Sequence, residues 1–241
     1  MLQSVAAAGY LIVSIDHPYD ADIVEFPDGT TFKGANLDGD EHIDMALATR
    51  VDDISFVHQQ INNIPFTRTF LPSPGTKYGG PARKTAVVGH SFGGAAAAAA
   101  GMLANPAILG GVNLDGTMFG DVVEIGLDRP FMLIGHENKT QDTDPSWKAV
   151  WPKPTGWKRE FEIKKAAHYS FSDLPLVTEV LGLQKHLSPV VGQVLGTIEG
   201  SRMANLTVSY VTTSLDFVLK GKPDESLQHS GDFPEIVVHA V

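Results

Sequence analysis

The chain has 241 residues, which is enough for one α/β domain with its own core and short for two. Its formal net charge of −10 argues against nucleic acid or an anionic membrane surface as the main partner. Without cysteine, the chain forms neither a disulfide nor a thiolate nucleophile. We expect a single domain over residues 1–241, with no transmembrane segment and no secretory signal in this chain. The cellular compartment and the oligomeric state stay open.

The first predicted elements are a helix, a strand and a hairpin. Leu2–Ala8 suits a short helix that ends at Gly9, and the apolar run Tyr10–Ile15 suits a strand. The segment Val24–Phe32 predicts a hairpin that turns at Asp28–Gly29. A complete α/β domain seldom opens on a helix that leads into a strand, so we expect the first strands of the sheet to be missing here.

A long amphipathic helix is predicted next. Asp38 and Glu41 have the spacing of a capping box at its start, and Pro65 marks its end. One apolar stripe runs along this helix through Ile43, Leu47, Val51, Ile54, Val57 and Ile61. His58 lies beside the stripe, and we expect it at a solvated edge rather than in a functional site.

The most informative motif lies where a strand meets a helix of small residues. A loop rich in proline and glycine, Leu71–Pro81, leads to the short apolar run Thr85–Val88, which suits a buried strand. Residues Gly89–Gly93 match G-x-S-x-G around Ser91, and alanines from Ala95 onward continue as a helix. This is the strand–turn–helix context of a nucleophile elbow, in which the motif glycines stand where side chains would clash. The pattern predicts Ser91 as a nucleophile.

Strands and helices continue to alternate after this motif. Strands are predicted at Ile108–Leu114, Pro130–Gly135 and Arg159–Ala167. A loop rich in proline, glycine and leucine then leads to an amphipathic helix over Ser201–Lys220, and we expect the tail to be irregular. The alternation predicts an α/β fold with a mostly parallel, doubly wound sheet.

A serine nucleophile needs a histidine base, and the base needs a carboxylate that holds its tautomer. His136, His168 and His186 follow the motif, and His168 is favoured because it directly follows a predicted strand. Two carboxylates, Asp115 and Glu137, end successive strands. Both strand ends can face the histidine, so the residue pattern leaves the choice of acid open.

Three segments resemble the platelet-activating-factor acetylhydrolase (plasma/intracellular type II) family of α/β-hydrolases. They are GHSFGG at 89–94, LDGTMFG at 114–120 and AHYSFSD at 167–173. In that family an LD-x-x-MF segment supplies the acid, so the resemblance implies the triad Ser91, Asp115 and His168, with Glu137 in reserve. It also implies a lipase-like serine carboxylesterase that degrades lipids with short acyl groups. The sn-2 acetyl ester of platelet-activating factor and related phospholipids are examples.

The resemblance also shows where this chain departs from the family. The backbone N–H of Phe92 is expected as one oxyanion donor, while the family takes the second from an HG-containing segment that is absent before Ser91. We therefore expect the 241-residue chain to be weakly active or inactive.

Tyr19 and Phe171 are suggested as an apolar substrate wall. The short interval from Asp115 to the next strand predicts that no large cap domain is present.

Two other functions stay open at this point. One is a cutinase-like polyester or triglyceride esterase that uses Glu137 as its acid. The other is an inactive hydrolase-fold protein kept for binding or oligomerisation. No metal is expected because the histidines lack paired ligand spacing, and no cofactor is needed for this chemistry. The expected partner is a small-molecule or lipid ester substrate.

Overall fold

The computed structural model describes residues 1–35, 39–67, 69, 83–153 and 156–240. The strands are β1 (Ile23–Glu25), β2 (Thr31–Lys33), β3 (Thr85–His90), β4 (Ile108–Leu114), β5 (Phe131–His136), β6 (Lys158–Ile163) and β7 (Ile236–Ala240). The helices are α1 (Leu2–Ala7), α2 (Asp40–Asn62), α3 (Ile64–Thr67), α4 (Phe92–Gly101), α5 (Asp121–Ile125), α6 (Pro145–Val150), α7 (Leu174–Val180), α8 (Pro189–Leu195) and α9 (Gly200–Lys220).

The central sheet has the strand order β3-β4-β5-β6-β7. Strands β3 to β6 run parallel to one another, and β7 pairs antiparallel with β6. A separate antiparallel hairpin is formed by β1 and β2, with Asp28 accepting a hydrogen bond from the backbone N–H of Thr30 in the turn. The expected α/β fold with a mostly parallel sheet is confirmed, and so is the hairpin.

Strands β4 and β5 are buried on both faces, as their largely apolar sequences require. Met132 and Ile134 of β5 face one side, where they pack with α9. Phe131 and Leu133 face the other side, where they pack with α4 and with Trp147 of α6. In the described connections between β4 and β6, only the short helices α5 and α6 occur, and no large cap domain is present. No helix in the described ranges is long and apolar enough to span a bilayer.

The prediction of a strand at Tyr10–Ile15 is wrong for this structure. Tyr10 and Ile12 pack on the core cluster that includes α9, whereas Ile15 packs on the cluster that includes α2 and α4. The burial of the segment is therefore compatible with a strand at the edge of the sheet. A strand also needs a hydrogen-bonded neighbour, and none of the described strands pairs with this segment.

The C-terminal part is more ordered than the sequence suggests. The tail predicted to be irregular contains β7, whose residues Ile236 and Val238 pack on the main core cluster. The predicted loop before the last helix contains α7 and α8. The last helix itself is confirmed as α9, which ends at Gly221 in the left-handed conformation with φ 67°.

Helix α2 ends before Pro65 as predicted, but one of its histidines was misjudged. His58 is buried, not solvated, and its ring nitrogens lie 3.0 Å from Asn105 Nδ2 and 3.2 Å from Asn62 Nδ2. Asp38 of the predicted capping box and the loop predicted at 71–81 lie outside the described residues.

Candidate active site

Ser91 lies at the turn between β3 and α4 with φ 55° and ψ −126°, a strained conformation for a residue with a side chain. Two glycines make the turn possible. A Cβ atom on Gly89 would lie 2.0 Å from the carbonyl oxygen of Gly93, and one on Gly94 would lie 2.1 Å from Asn113 Oδ1. A Cβ on Gly93 would meet only an Arg50 nitrogen, at 3.7 Å, so the clash expected there is wrong.

His168 reaches Ser91 from the turn that follows β6. Its Nε2 atom lies 3.0 Å from Ser91 Oγ, and its Nδ1 atom lies 2.6 Å from Asp115 Oδ2. Residues His168–Phe171 form one turn of 3₁₀ helix, in which Ser170 Oγ accepts from Ala167 N at 2.8 Å and donates to Leu195 O at 2.8 Å. These contacts hold the turn that carries the imidazole.

Asp115 follows β4 directly, in the left-handed conformation with φ 63°. Its backbone N–H donates to Ile134 O at 2.8 Å, which places the residue beside the end of β5. The carboxylate is fully buried. Burial alone would raise the pKa of Asp115, but hydrogen bonds from His136 and His168 lower it to about 2. The group is therefore an anion at neutral pH.

Two further histidines lie at the site: His136, which the sequence analysis considered only as a base, and His90, which it did not consider. His136 donates to Asp115 Oδ1 from its backbone N–H at 2.8 Å, and its Nδ1 lies 2.6 Å from the same oxygen. His90 Nε2 lies 2.9 Å from His168 O, and the rings of His90 and His168 are 4.7 Å apart. Burial, together with the nearby His168, lowers the pKa of His90. Both histidines end a strand, His90 in β3 and His136 in β5, and this position is the sequence feature by which they could have been assigned to the site.

The remaining candidates lie elsewhere. Glu137 accepts a hydrogen bond from the backbone N–H of Lys165 at 3.1 Å at the exposed edge of the site. His186 ends an exposed 3₁₀ turn after α7. Among the candidate acids and bases, the structure thus brings Asp115 and His168 to Ser91.

A cavity of about 540 Å³ opens over Ser91. Its lining consists of Asp20, Ile43, Ser91, Phe92, Asp115, Thr117, Phe119, Lys139 and His168. Both charged side chains of the outer wall have partners: Asp20 pairs with Arg50, and Lys139 Nζ lies 3.0 Å from Asp144 Oδ2. The apolar part of the wall comes from Ile43 and the Phe92–Phe119 ring pair, whose centroids are 5.9 Å apart.

The two aromatic residues suggested as a substrate wall lie outside this lining. Tyr19 packs its ring on Phe32, with centroids 5.2 Å apart. Phe171 is only 5% exposed and stacks on His90 at 5.8 Å, so it supports the site from inside the core. The cavity lining therefore gives the suggestion no support, and its aromatic residues are Phe92 and Phe119.

Phe92 is the first residue of α4, so its backbone N–H lies among those that have no partner within the helix. This leaves it without an intrahelical partner, as the expected oxyanion donor requires. The nearby backbone amides of Asp20 and Ala21 both donate to His17 O, at 3.2 and 3.1 Å, and are not free for this role. No group of three or more histidine or acidic side chains in the described ranges could hold a metal ion.

Known proteins resemble this chain in sequence and in fold. The chain is 30% identical over 249 residues to a protein of Arthroderma benhamiae named "Probable 1-alkyl-2-acetylglycerophosphocholine esterase", and the match covers 98% of this chain and 60% of that protein. The chain thus spans about 60% of the length of this relative. Among solved structures it resembles a ferulic acid esterase from Streptomyces cinnamoneus with a TM-score of 0.76 and 29% identity, over 93% of this chain and 64% of that one.

The decisive match is to a family model. The model for platelet-activating factor acetylhydrolase, isoform II, matches residues 81–225, which is more than half of the chain. This range contains the elbow at Ser91, the carboxylate of Asp115 and the imidazole of His168. With the fold and these three segments in agreement, the chain belongs to the platelet-activating factor acetylhydrolase isoform II family.

Proposed function

We propose that the chain hydrolyses carboxylic esters through an acyl-enzyme intermediate on Ser91. The observation that carries the proposal is the continuous hydrogen-bonded path from Ser91 Oγ through His168 to Asp115, with distances of 3.0 and 2.6 Å. This is the arrangement that a weak serine nucleophile needs for activation at neutral pH. Asp115 stays ionised there, because its pKa is lowered to about 2.

In the first half of the proposed reaction, Ser91 Oγ attacks the carbonyl carbon of the ester while its proton passes to His168 Nε2. The negative charge that forms on the carbonyl oxygen is stabilised by the backbone N–H of Phe92. The imidazolium of His168 then gives its proton to the leaving alcohol oxygen as the C–O bond breaks. The acyl group stays on Ser91 as an ester.

The second half repeats these steps with water. His168 takes a proton from a water molecule, whose oxygen attacks the acyl carbon. Ser91 Oγ leaves and recovers the proton from His168, so the carboxylic acid is released and the site returns to its starting state. Asp115 holds the Nδ1–H tautomer of His168 throughout and stabilises the imidazolium in each half.

For the substrate, we propose esters of short acyl groups, including 1-alkyl-2-acetylglycerophosphocholine. Family membership supports this class, as does the name of the Arthroderma benhamiae relative. The cavity of about 540 Å³ lies within the range of about 300–1,000 Å³ for small-molecule sites, and its apolar surface is limited to a few side chains. Such a site favours a small acyl group beside Ser91.

Aromatic acyl esters are a second candidate class. The structural relative is a ferulic acid esterase, and the wall of this cavity carries the ring pair Phe92 and Phe119, on which an aromatic acyl group can stack. The cutinase-like alternative with Glu137 as its acid gains no support, because that carboxylate accepts from Lys165 N.

Hydrolysis assays on the 241-residue chain test this proposal. The substrates are p-nitrophenyl acetate, p-nitrophenyl decanoate, 1-alkyl-2-acetylglycerophosphocholine and methyl ferulate, each with the wild type and S91A. We expect slow turnover by the wild type, because Phe92 N is the one oxyanion donor identified among the described residues and the loss of a second donor costs about 10²–10³ in rate. Within that limit, kcat/KM should be highest on acetyl esters, and S91A should show no enzymatic turnover. Turnover that survives in S91A, or no turnover of any ester by the folded wild type, would contradict it. A preference for methyl ferulate would select the aromatic class.

A further inference from the structure

We infer that His136 is a positioning residue that acts through Asp115 and sets the pH range in which His168 can accept a proton. The inference deepens the proposed ester hydrolysis and rests on it for its catalytic meaning. The arrangement behind it does not depend on activity: the imidazoles of His136 and His168 share the buried carboxylate of Asp115, and only the His168 imidazole reaches Ser91.

The two imidazoles bind Asp115 in equivalent ways. His136 Nδ1 lies 2.6 Å from Oδ1, and His168 Nδ1 lies 2.6 Å from Oδ2. Because the carboxylate is ionised and accepts at both oxygens, each ring must donate from its Nδ1 atom. The other nitrogen of His168 faces Ser91, whereas the His136 ring is 33% exposed and has no contact with the nucleophile.

The side chain of His136 is not required to hold the carboxylate in place. The backbone N–H of the same residue already donates to Asp115 Oδ1 at 2.8 Å, and this bond survives any substitution at position 136 except proline. The carboxylate also keeps its bond to His168. The imidazole of His136 therefore adds a third hydrogen bond whose main effect is electrostatic.

That effect has a definite direction. An ionised carboxylate favours the imidazolium form of a histidine beside it. When Asp115 also binds the His136 ring, part of its negative charge is neutralised by the second donor, and less remains to stabilise the imidazolium of His168. Protonation of His136 would add a positive charge that acts in the same direction. His136 thus keeps His168 neutral, and able to act as a base, down to a lower pH.

The other titratable groups at this corner of the sheet have partners of their own. Glu137 accepts from Lys165 N, and Lys139 pairs with Asp144 on the far wall of the cavity. From β6, Glu162 binds Lys164 and His239. From β3, His90 binds the carbonyl of His168, and burial lowers the pKa of His90. The described contacts therefore leave His136 as the titratable neighbour that reaches His168 through Asp115.

The test is an imidazole titration of the purified chain by ¹H–¹⁵N NMR, with the His168 signals assigned from their loss in H168Q. In H136L, which removes the ring donor, we expect the titration midpoint of His168 to rise by about one pH unit, the scale of one hydrogen bond to a charged group. H136N, whose side-chain amide can donate to Asp115, should keep the wild-type midpoint. H239L is the matched control, because it removes a 2.6 Å histidine–carboxylate contact on β6 and β7 that has no path to Ser91.

A parallel pH profile of kcat/KM on p-nitrophenyl acetate separates this inference from the proposed function. The acid limb of H136L should move to higher pH with little change in the plateau, whereas a purely structural role would lower the plateau and leave the limb in place. An unmoved His168 midpoint in H136L, or an equal shift in H136N or H239L, would overturn the inference. Absence of turnover in the wild type would count against the proposed function alone, because the NMR titration does not depend on activity.

Discussion

His168 Nε2 lies 3.0 Å from Ser91 Oγ, although 77 residues separate the two along the chain. The contact depends on two unrelated pieces of backbone. Ser91 is held at φ 55° by the close approach of Gly89 to Gly93, and His168 is held by the 3₁₀ turn that Ser170 ties to Leu195. The fold itself thus holds Ser91 Oγ and the His168 imidazole in contact, as the proposed roles of nucleophile and base require.

The acid of the site is tested by comparing D115N with E137Q. We expect D115N to lower kcat by about 10⁴, because an asparagine no longer fixes the tautomer or stabilises the imidazolium of His168. E137Q should stay close to the wild type, since Glu137 binds the backbone of Lys165. Steady-state kinetics on p-nitrophenyl acetate measures both variants. A collapse of activity in E137Q with D115N unaffected would reverse the assignment.

The ionised Asp115 also predicts how stability depends on pH. In the folded protein the pKa of Asp115 is about 2, below its ordinary value of 3.8. The ionised carboxylate therefore makes its full contribution to the free energy of unfolding above pH 3.8, and this contribution is lost as the pH falls through the pKa of the folded state. The shift corresponds to stabilisation on the order of 2 kcal/mol.

Urea unfolding at a series of pH values measures this contribution. The free energy of unfolding of the wild type should exceed that of D115N most above about pH 4, and the gap should narrow toward pH 2. A gap that is constant from pH 5 to about pH 2 would show that the charge of Asp115 does not contribute.

Packing behind the elbow is tested by G94A. A Cβ at Gly94 would lie 2.1 Å from Asn113 Oδ1, in the interior between α4 and β4. We expect G94A to lower the free energy of unfolding by about 1–3 kcal/mol or more, because neither neighbour can move freely. G192A is the control: a Cβ there meets nothing within 4 Å, and alanine favours the helix α8. Equal stability of the two variants in thermal or urea unfolding would refute the packing argument.

The cavity wall is tested by comparing F119A with Y19A. Phe119 lines the cavity and packs on Phe92, so F119A should raise KM for an acyl group that contacts this wall, by about tenfold. Tyr19 packs on the hairpin residue Phe32 outside the lining, and Y19A should leave KM unchanged. A larger effect of Y19A on KM would restore the substrate contact suggested by the sequence.

Local patterns were sufficient to predict the elbow. Adjacent residues predict all three of its parts: the glycine required at position 89, the strand before the serine and the small-residue helix after it. The partners of Ser91 were harder, because they depend on which strand ends meet. Spacing left Asp115 and Glu137 open, and the resemblance to a family favoured Asp115.

The contact of His136 with Asp115 could not be derived in this way, because it depends on strand register. Leu114 pairs with Ile134, so the residue after β4 lies beside the end of β5, where His136 can turn back to the carboxylate. Strand β7 likewise depends on a non-local contact. The apolar run Ile236–Val238 is compatible with a strand, and it forms one because it pairs with β6.

The segment Tyr10–Ile15 illustrates the opposite error. Burial alternates over Tyr10–Val13 as in a strand, with Leu11 and Val13 exposed and Tyr10 and Ile12 partly buried, and the alternation breaks at Ser14. Pairing is a property of the sheet, however, and the periodicity of one segment does not supply a partner.

The most direct test of the central claim is covalent labelling of Ser91 by a fluorophosphonate, followed by peptide mass spectrometry. An unactivated serine reacts too slowly to be modified, so the account predicts stoichiometric phosphonylation of Ser91 in the wild type and a large loss of rate in H168Q, with no label in S91A. No labelling of the folded wild type, or labelling that is as fast in H168Q, would contradict the claim that His168 activates Ser91.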